Sequence, residues 1–171
     1  LDYYRLEPAS AEAMAGKQKE LFLAQIKIAQ ELKKPLMIHC RPSKGSNDAY
    51  EDLFNILSSQ DPMVLRRPYI IHFFVGSLDI AKKLLNLGCY FTFGGVITFA
   101  RDYDEVIKFL PLENILLETD APYVAPEPYR GKRDEPAYVV EVARKLAEIK
   151  GFSFEKVAAQ TIANARQIFK I

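Results

Sequence analysis

Two histidines and two acids follow short apolar runs, and their types and positions favour a metal site. His39 ends the run "PLMIH", His72 ends "YIIH", and the acids Glu118 and Asp120 follow "NILL". A buried carboxylate is costly unless it is paired, hydrogen-bonded or bound to a metal. Imidazole nitrogens and carboxylate oxygens are ligands for divalent ions such as zinc, manganese and magnesium. His39, His72 and Asp120 are therefore predicted to bind such an ion.

Each of these residues also has a purely structural interpretation. A single histidine on an apolar strand is usually a satisfied core residue, so the prediction depends on three strand ends together. Glu118 and Asp120 are two positions apart, so on a strand their side chains point to the same face. Asp120 is predicted to be a catalytic proton acceptor as well as a ligand. Glu118 is predicted to orient its catalytic neighbours, and its alternative role is that of a structural buried acid.

Four further side chains are candidate contacts for a substrate phosphate. Arg41 is two residues from His39, shares its face, and has the planar fork that binds phosphate through two parallel hydrogen bonds. Its alternative role is a surface salt bridge. Ser77 opens a helix after "HFF", and helix starts bind anions. Arg130 and Lys132 follow the acidic strand end in "PEPYRGKRDEP", although most basic clusters of this kind are solvated loops.

The thiol beside His39 is not a predicted nucleophile. Adjacent residues on a strand face opposite sides, so Cys40 should point away from His39. Cys40 and Cys89 have no C-x-x-C spacing, which favours a reduced, cytoplasmic protein over a disulfide scaffold.

The elements that must position these residues are strands alternating with helices. Apolar runs at 35–40, 69–74, 89–95 and 114–120 are predicted strands. Helical patterns cover 11–33, 47–59, 77–88, 102–110, 134–151 and 153–168. The predicted caps are Ser77, Asp134 and Ser153. In the first helix, Leu21, Ile28 and Leu32 share a face. This alternation predicts an α/β fold with a parallel sheet, in one domain over residues 1–171.

Composition limits the partners. The chain has 171 residues and a net charge of +1, so nucleic acid must be bound by a local basic patch. No apolar run approaches the roughly 20 residues of a membrane span. We expect no membrane partner and infer no obligate protein partner.

The motifs as a set resemble the TatD family of metal-dependent DNases. "LDYYR", "PLMIHCR", "HFFVGS", "TFGGVITF", "LLETDAPYVAPEPYRGKRDEP" and "TIANARQIF" follow the family's order from Leu1 to about Phe169. The resemblance implies an amidohydrolase-like (β/α)8 TIM barrel with a one- or two-metal site. His39 and His72 would be ligands from its fifth and sixth strands, Asp120 a ligand from its eighth, and Arg41 a neighbour of the substrate phosphate.

Two differences from the family pattern affect what we expect. Asp134 stands where the family usually has asparagine. The family's His-x-His of the first strand and Glu of the fourth are not found in this chain. We therefore expect the second half of a barrel, strands 5 to 8 with their helices and without the N-terminal half, and we expect it to be inactive alone.

The resemblance implies a hydrolase that cleaves phosphodiester bonds, most simply a deoxyribonuclease acting on DNA ends or single-stranded regions. Tyr3, Tyr4, Phe73 and Tyr123 lie near strand ends, where aromatic rings can stack on bases. Two alternatives stay open at this point. One is a metal-dependent esterase such as a D-aminoacyl-tRNA deacylase, and the other is a half-barrel that binds a partner without catalysis.

Overall fold

Strands and helices alternate along the chain, as the sequence predicts. The computed structural model describes residues 1–4, 11–60 and 68–171. Within these ranges the chain forms two compact units, Leu1–Cys89 and Tyr90–Ile171. The elements of the first unit are α1 (Ala11–Glu31), β1 (Leu36–His39), α2 (Asp48–Ser58), β2 (Tyr69–His72) and α3 (Leu78–Asn86). Those of the second are β3 (Tyr90–Phe93), α4 (Asp104–Phe109), β4 (Ile115–Leu117), α5 (Val139–Lys150) and α6 (Phe154–Phe169).

Parallel pairing in both units confirms the predicted α/β class. In the first unit β1 pairs with β2, in a register that runs from Leu36 opposite Tyr69 to His39 opposite His72. In the second, β3 pairs with β4, with Phe91 opposite Ile115. The prediction of one domain over residues 1–171 stays a prediction.

The first unit buries the apolar strand residues under helices α2 and α3. Ile38, Ile70 and Ile71 are 0–2% exposed, which is typical of parallel strands covered on their faces. The helices contribute further fully buried side chains: Tyr50, Leu53, Leu57, Ile80 and Leu84. These buried side chains form the apolar core of the first unit.

Helix α1 differs from the amphipathic pattern. Ile26 is its buried residue at 1% exposure, whereas Leu21, Ile28 and Leu32 are 66%, 46% and 63% exposed. The face shared by these three residues is therefore not a core face within this unit. None of the helices in the described ranges is long and apolar enough to cross a lipid bilayer.

Helix ends follow the local signals closely. Ser77 caps α3 by accepting a hydrogen bond from the backbone N–H of Ile80, and Ser153 caps α6 through the N–H of Lys156. Gly88 and Gly151 follow α3 and α5 with φ of 77° and 68°, a left-handed conformation that glycine adopts without a Cβ clash.

Two predicted details are wrong. Asp134 does not cap the helix, because residues Pro136–Tyr138 form a 3-10 turn before α5 and Glu135 occupies the cap position of that turn. The strand predicted over 114–120 ends at Leu117, although the N–H of Glu118 still donates to the Phe93 carbonyl at 3.1 Å. The acidic residues therefore lie just beyond the ladder.

A buried amide joins the last helix to the start of β4. Asn164 is 3% exposed, and its Nδ2 donates to the carbonyl oxygens of Leu112 and Ile115, each at 2.8 Å. Its Oδ1 accepts a hydrogen bond from Gln160 at 2.8 Å. One side chain thus satisfies two main-chain carbonyls that precede the acidic strand end.

Replacing this amide should destabilise the chain. Asn164→Leu keeps a similar volume but removes both donors, and each unsatisfied buried carbonyl costs about 1–3 kcal/mol. We expect the free energy of unfolding to fall by about 2–4 kcal/mol in urea titrations followed by circular dichroism. Gln167→Leu, at an exposed position of the same helix, is the matched control and should change little. Equal stability of the two variants would contradict this assignment.

Candidate functional site

The two imidazoles lie next to each other at the C-terminal ends of a parallel strand pair. His39 and His72 are register partners, and their ring centroids are 6.2 Å apart with planes tilted by 39°. Metal–nitrogen bonds of about 2.0–2.1 Å place the ring centres of two imidazoles sharing one ion roughly 5–6 Å apart. The pair therefore fits a shared divalent ion with only a small adjustment of the rings.

An acid that sequence reasoning missed contacts one of these rings. Asp2 Oδ2 lies 3.0 Å from Nε2 of His39. The other carboxylate oxygen accepts the N–H of Tyr4 at 3.1 Å. The main chain of Asp2 is held on both sides by Gln18, whose Oε1 accepts the Asp2 N–H at 2.7 Å and whose Nε2 donates to the Asp2 carbonyl at 2.9 Å. The sequence signal was weak, since Asp2 is 37 positions from His39.

The three predicted metal ligands belong to different units. His39 and His72 belong to the first unit and Asp120 to the second. Over 1–4, 11–60 and 68–171, no three or more His, Cys, Asp or Glu side chains are grouped so as to hold a metal ion. The joint ligation by His39, His72 and Asp120 stays a prediction, and the first unit contributes two nitrogen donors to it.

The acids of the second unit differ in burial from what the sequence suggests. Glu118 and Asp120 are half-buried, so neither is fully enclosed in the apolar core. Asp120 begins a tight turn in which its carbonyl accepts the N–H of Tyr123 at 2.8 Å. This places its carboxylate at the junction between β4 and the basic loop.

The buried acid in this region is Asp134. It is 1% exposed, its Oδ1 accepts the N–H of Glu135 at 2.9 Å, and its Oδ2 has no hydrogen-bond partner among the described residues. Burial, and then the negative charges of Asp120 and Glu135, raise the pKa of this carboxyl above the usual range of aspartate. The sequence predicts Asp134 as a helix cap and does not identify it as a buried acid.

Arg41 is held at the rim of the first unit. Its guanidinium carbon lies 3.8 Å from the centre of the Tyr4 ring. Its backbone N–H donates to the Leu1 carbonyl and its carbonyl accepts from Tyr3, each at 2.8 Å. Stacking on an aromatic face leaves the edge of a guanidinium to bind planar anions.

Tyr3 does not have the stacking role proposed for it. Its side chain is 6% exposed and its hydroxyl donates to Asp52 Oδ2 at 2.9 Å. Burial, together with this hydrogen bond, raises the pKa of the Tyr3 phenol. Tyr4 and Tyr123, by contrast, are 45% and 70% exposed.

The hydroxyl of Ser77 is engaged as a helix cap. It accepts the N–H of Ile80 and the side-chain amide of Asn47, each at 3.4 Å. Ser77 is exposed, so its position at the start of α3 is accessible.

The basic loop of the second unit positions Arg130 on a ring. The guanidinium carbon of Arg130 lies 3.8 Å from the centre of the Phe99 ring, and one nitrogen donates to the Ala125 carbonyl at 3.1 Å. Thr98 fixes the loop, because its hydroxyl accepts the N–H of Glu127 at 2.8 Å. Lys132 is exposed on the same loop.

Glycine is required where this loop meets the end of β3. A Cβ at Gly95 would collide with the carbonyl oxygen of Val124 and lie 2.9 Å from the nitrogen of Pro126. The loop therefore packs main chain against main chain at this point.

Cys40 is unsuited to nucleophilic chemistry. It is 2% exposed, and burial raises the pKa of its thiol to about 12. This confirms the expectation that it points away from the face of His39.

The sequence matches known proteins over its whole length. A protein of Bacillus subtilis described as an uncharacterized metal-dependent hydrolase, YabD, is 40% identical over 156 residues, which are 90% of this chain and 58% of that protein. Its Escherichia coli counterpart YcfH is 36% identical over 173 residues, which cover all of this chain and 60% of YcfH. The chain therefore spans about three fifths of the length of these relatives.

Solved structures agree with this placement. The crystal structure of YJJV, a TatD homologue from Escherichia coli, superposes with a TM-score of 0.82 at 27% identity, over all of this chain and 61% of that one. An uncharacterized amidohydrolase from Saccharomyces cerevisiae shares the fold with a TM-score of 0.81. Residues 1–170 match the family described as TatD related DNase. The chain belongs to the TatD-related DNase family of metal-dependent hydrolases.

Proposed function

We propose that this chain forms part of a divalent-metal-dependent phosphodiesterase that degrades DNA from ends or single-stranded regions. The observation that carries the proposal is the His39–His72 pair, with ring centres 6.2 Å apart at the ends of adjacent parallel strands. C-terminal strand ends are where α/β barrels carry their active sites. The relatives named as metal-dependent hydrolases support a catalytic role for such a pair.

The site would combine metal ligands with a proton acceptor. His39, His72 and Asp120 would hold one or two ions of zinc, manganese or magnesium. A divalent ion bound there supplies polarisation of the phosphate and a lowered pKa of bound water. The carboxylate of Asp120 would accept the proton that the attacking water loses, and Glu118, two residues earlier, would orient its neighbours.

Substrate phosphates would be held by cations on loops. Arg41 and Arg130 each lie 3.8 Å from the centre of an aromatic ring, Tyr4 and Phe99 respectively. A guanidinium restrained on a ring loses less rotamer freedom when it binds a phosphate. Lys132, on the same loop as Arg130, would add a second cation.

Two weaker contacts complete the proposed substrate path. Ser77, at the start of α3, would present the helix N-terminus to a phosphate. Tyr4 and Tyr123 are exposed aromatic rings on which bases could stack. We place the protein in the cytoplasm because its two cysteines, Cys40 and Cys89, are buried thiols that do not form a disulfide.

We also propose that the four strands correspond to strands 5 to 8 of the family's eight-stranded barrel. Support comes from the edge of β1. Alternate backbone groups of a strand point to opposite sides. The N–H of Leu36 points toward the β2 side, where it donates to Pro68, while the carbonyl of His39 and the N–H of Arg41 bond to Leu1 on the other side.

A further parallel strand paired with β1 on the side opposite β2 would run beside Met37. The segment at Asp2 already forms a parallel bridge with Arg41. Met37 is 52% exposed and lines a groove of about 320 Å³ together with Leu21 and Phe22 of α1. An apolar strand in this groove would cover surface that a monomer rarely leaves open.

A chimera tests the half-barrel. We expect the 171-residue chain alone to show no nuclease activity with added manganese. Replacing the matched segment of YcfH with this chain should yield a protein that cleaves single-stranded DNA when manganese, zinc or magnesium is present. The release of nucleotides measures the activity of the isolated chain and that of the chimera. Cleavage by the isolated chain would show that four strands suffice.

The role of Asp120 is tested in the same chimera. Asp120→Asn keeps the size of the side chain but removes the proton acceptor, so the rate should fall by about 100-fold or more. Asp102→Asn, at an exposed position, is the control. Both variants should have the melting temperature of the parent.

The substrate panel separates the reaction classes. It contains DNA, RNA and aminoacyl-tRNA. Faster cleavage of the aminoacyl ester would favour the esterase alternative, and no turnover of any substrate by the parent chimera would favour a binding module. Retained turnover by Asp120→Asn would remove the proton-acceptor role.

Arg41 should contribute to the salt dependence of DNA binding. A phosphate contact releases counterions, so Arg41→Ala should reduce the slope of log K against log salt by about 1. Fluorescence anisotropy with single-stranded DNA measures the binding constant at each salt concentration, from which the slope follows. Arg144→Ala is the matched control, because that arginine also lies over a ring, Phe154, at 4.9 Å. An unchanged slope would mean that Arg41 does not bind phosphate.

A further inference from the structure

We propose that Asp2 is a positioning residue that keeps the proton of the neutral His39 ring on Nε2, so that Nδ1 is the atom presented to a metal ion. The presentation of Nδ1 to a metal ion rests on the proposed function. The tautomer does not, because it can be measured without metal. It assigns a role to a residue outside the predicted ligand set.

The tautomer is inferred from the contact between Asp2 and His39. Asp2 Oδ2 lies 3.0 Å from Nε2 of His39. An ionised carboxylate can only accept hydrogen bonds, so Nε2 must donate. In the neutral imidazole the lone pair is then on Nδ1. Metal-binding histidines commonly donate their second nitrogen to a carboxylate in this way, which fixes the ring and raises its basicity.

Asp2 is held more firmly than an ordinary surface acid. Its two main-chain groups bond to the amide of Gln18, at 2.7 and 2.9 Å, and its Oδ1 accepts the N–H of Tyr4. Exposed ion pairs usually contribute little because two mobile side chains must be ordered. Here the carboxylate is ordered by its own backbone, so its direction toward His39 costs less to maintain.

The position of the pair also fits this role. His39 is opposite His72 in the strand register, and the Asp2 segment bridges Arg41 on the outer side of β1. Asp2 therefore contacts His39 from the N-terminal segment, while the second imidazole lies on the neighbouring strand. A rotation of the His39 ring would break the Asp2 contact.

Nitrogen-15 NMR of the 171-residue chain tests the tautomer. The sequence has two histidines, so a long-range proton–nitrogen spectrum contains two ring systems, and His72→Gln assigns them. Spectra are recorded at rising pH until the ring-nitrogen signals stop changing, so that the tautomer is determined on the neutral rings. We expect His39 to show a protonated Nε2 and an unprotonated Nδ1.

Variants separate positioning from a structural effect. In Asp2→Ala the ratio of the two His39 tautomers should fall about tenfold, and its two nitrogen signals should move toward each other, while His72 is unaffected. In Asp2→Asn, whose amide oxygen still accepts a hydrogen bond, the tautomer ratio should lie between those of the unmodified chain and of Asp2→Ala. Gln18→Leu should give a smaller change of the same sign. The control Asp79→Ala, at a side chain 86% exposed, should leave both rings unchanged.

A protonated Nδ1 in the unmodified chain would overturn the proposal, as would identical His39 signals in Asp2→Ala. If Asp2→Ala does not fold, the spectra of the unmodified chain and of Gln18→Leu still test the tautomer assignment. Adding zinc alone tests the metal site separately. A zinc-induced shift at Nδ1 of His39 supports both proposals, and a shift at Nε2 contradicts the role of Asp2. If zinc moves neither ring, the presentation of Nδ1 to a metal ion fails for this chain while the tautomer assignment stands.

Discussion

The in-register parallel pairing of β1 with β2 is the constraint on which the proposed metal site depends. It places His39 opposite His72. Side chains alternate between the faces of a strand, so a slip of one residue would turn one ring to the other face. On β1 the register agrees with burial, because Ile38 is 2% exposed on one face whereas Met37, on the face of His39, is 52% exposed. A slip of one residue on β1 would expose Ile38 and bury His39, so packing and placement of the imidazole favour the same register.

Cations in both units are restrained before any substrate arrives. Arg41 lies on Tyr4 and Arg130 on Phe99, and each loop is tied to the end of a strand by main-chain hydrogen bonds or by Thr98. The freedom lost on binding an anion is smaller for such side chains than for extended surface arginines. This arrangement suits a substrate recognised by its backbone charge, because it requires no particular base.

Sequence reasoning located local features and missed those made by distant contacts. The caps Ser77 and Ser153 and the terminating Gly88 and Gly151 follow from neighbours within one helical turn, and the structure contains all four. The Asp2–His39 contact joins residues 37 positions apart, and no periodicity encodes it.

The local sequence also did not predict how deeply the acidic residues after β4 are buried. Glu118 and Asp120 follow an apolar run yet are half-buried, because β4 ends before them at Leu117. Asp134 stands in a charged stretch yet is buried, because its N–H donates to the Pro122 carbonyl and draws the loop inward. Both outcomes depend on how the chain folds back after β4, which the local pattern does not specify.

Gly95 makes the position of Arg130, a proposed phosphate contact, depend on a residue that carries no charge. The Val124 carbonyl occupies the space that a side chain at 95 would need, and the loop that begins there leads to Arg130. Any larger residue at 95 would displace that loop and with it the guanidinium stacked on Phe99. A substitution at this glycine would therefore move a proposed phosphate contact while every charged residue is retained. A comparison of the charged residues alone would not detect such a change.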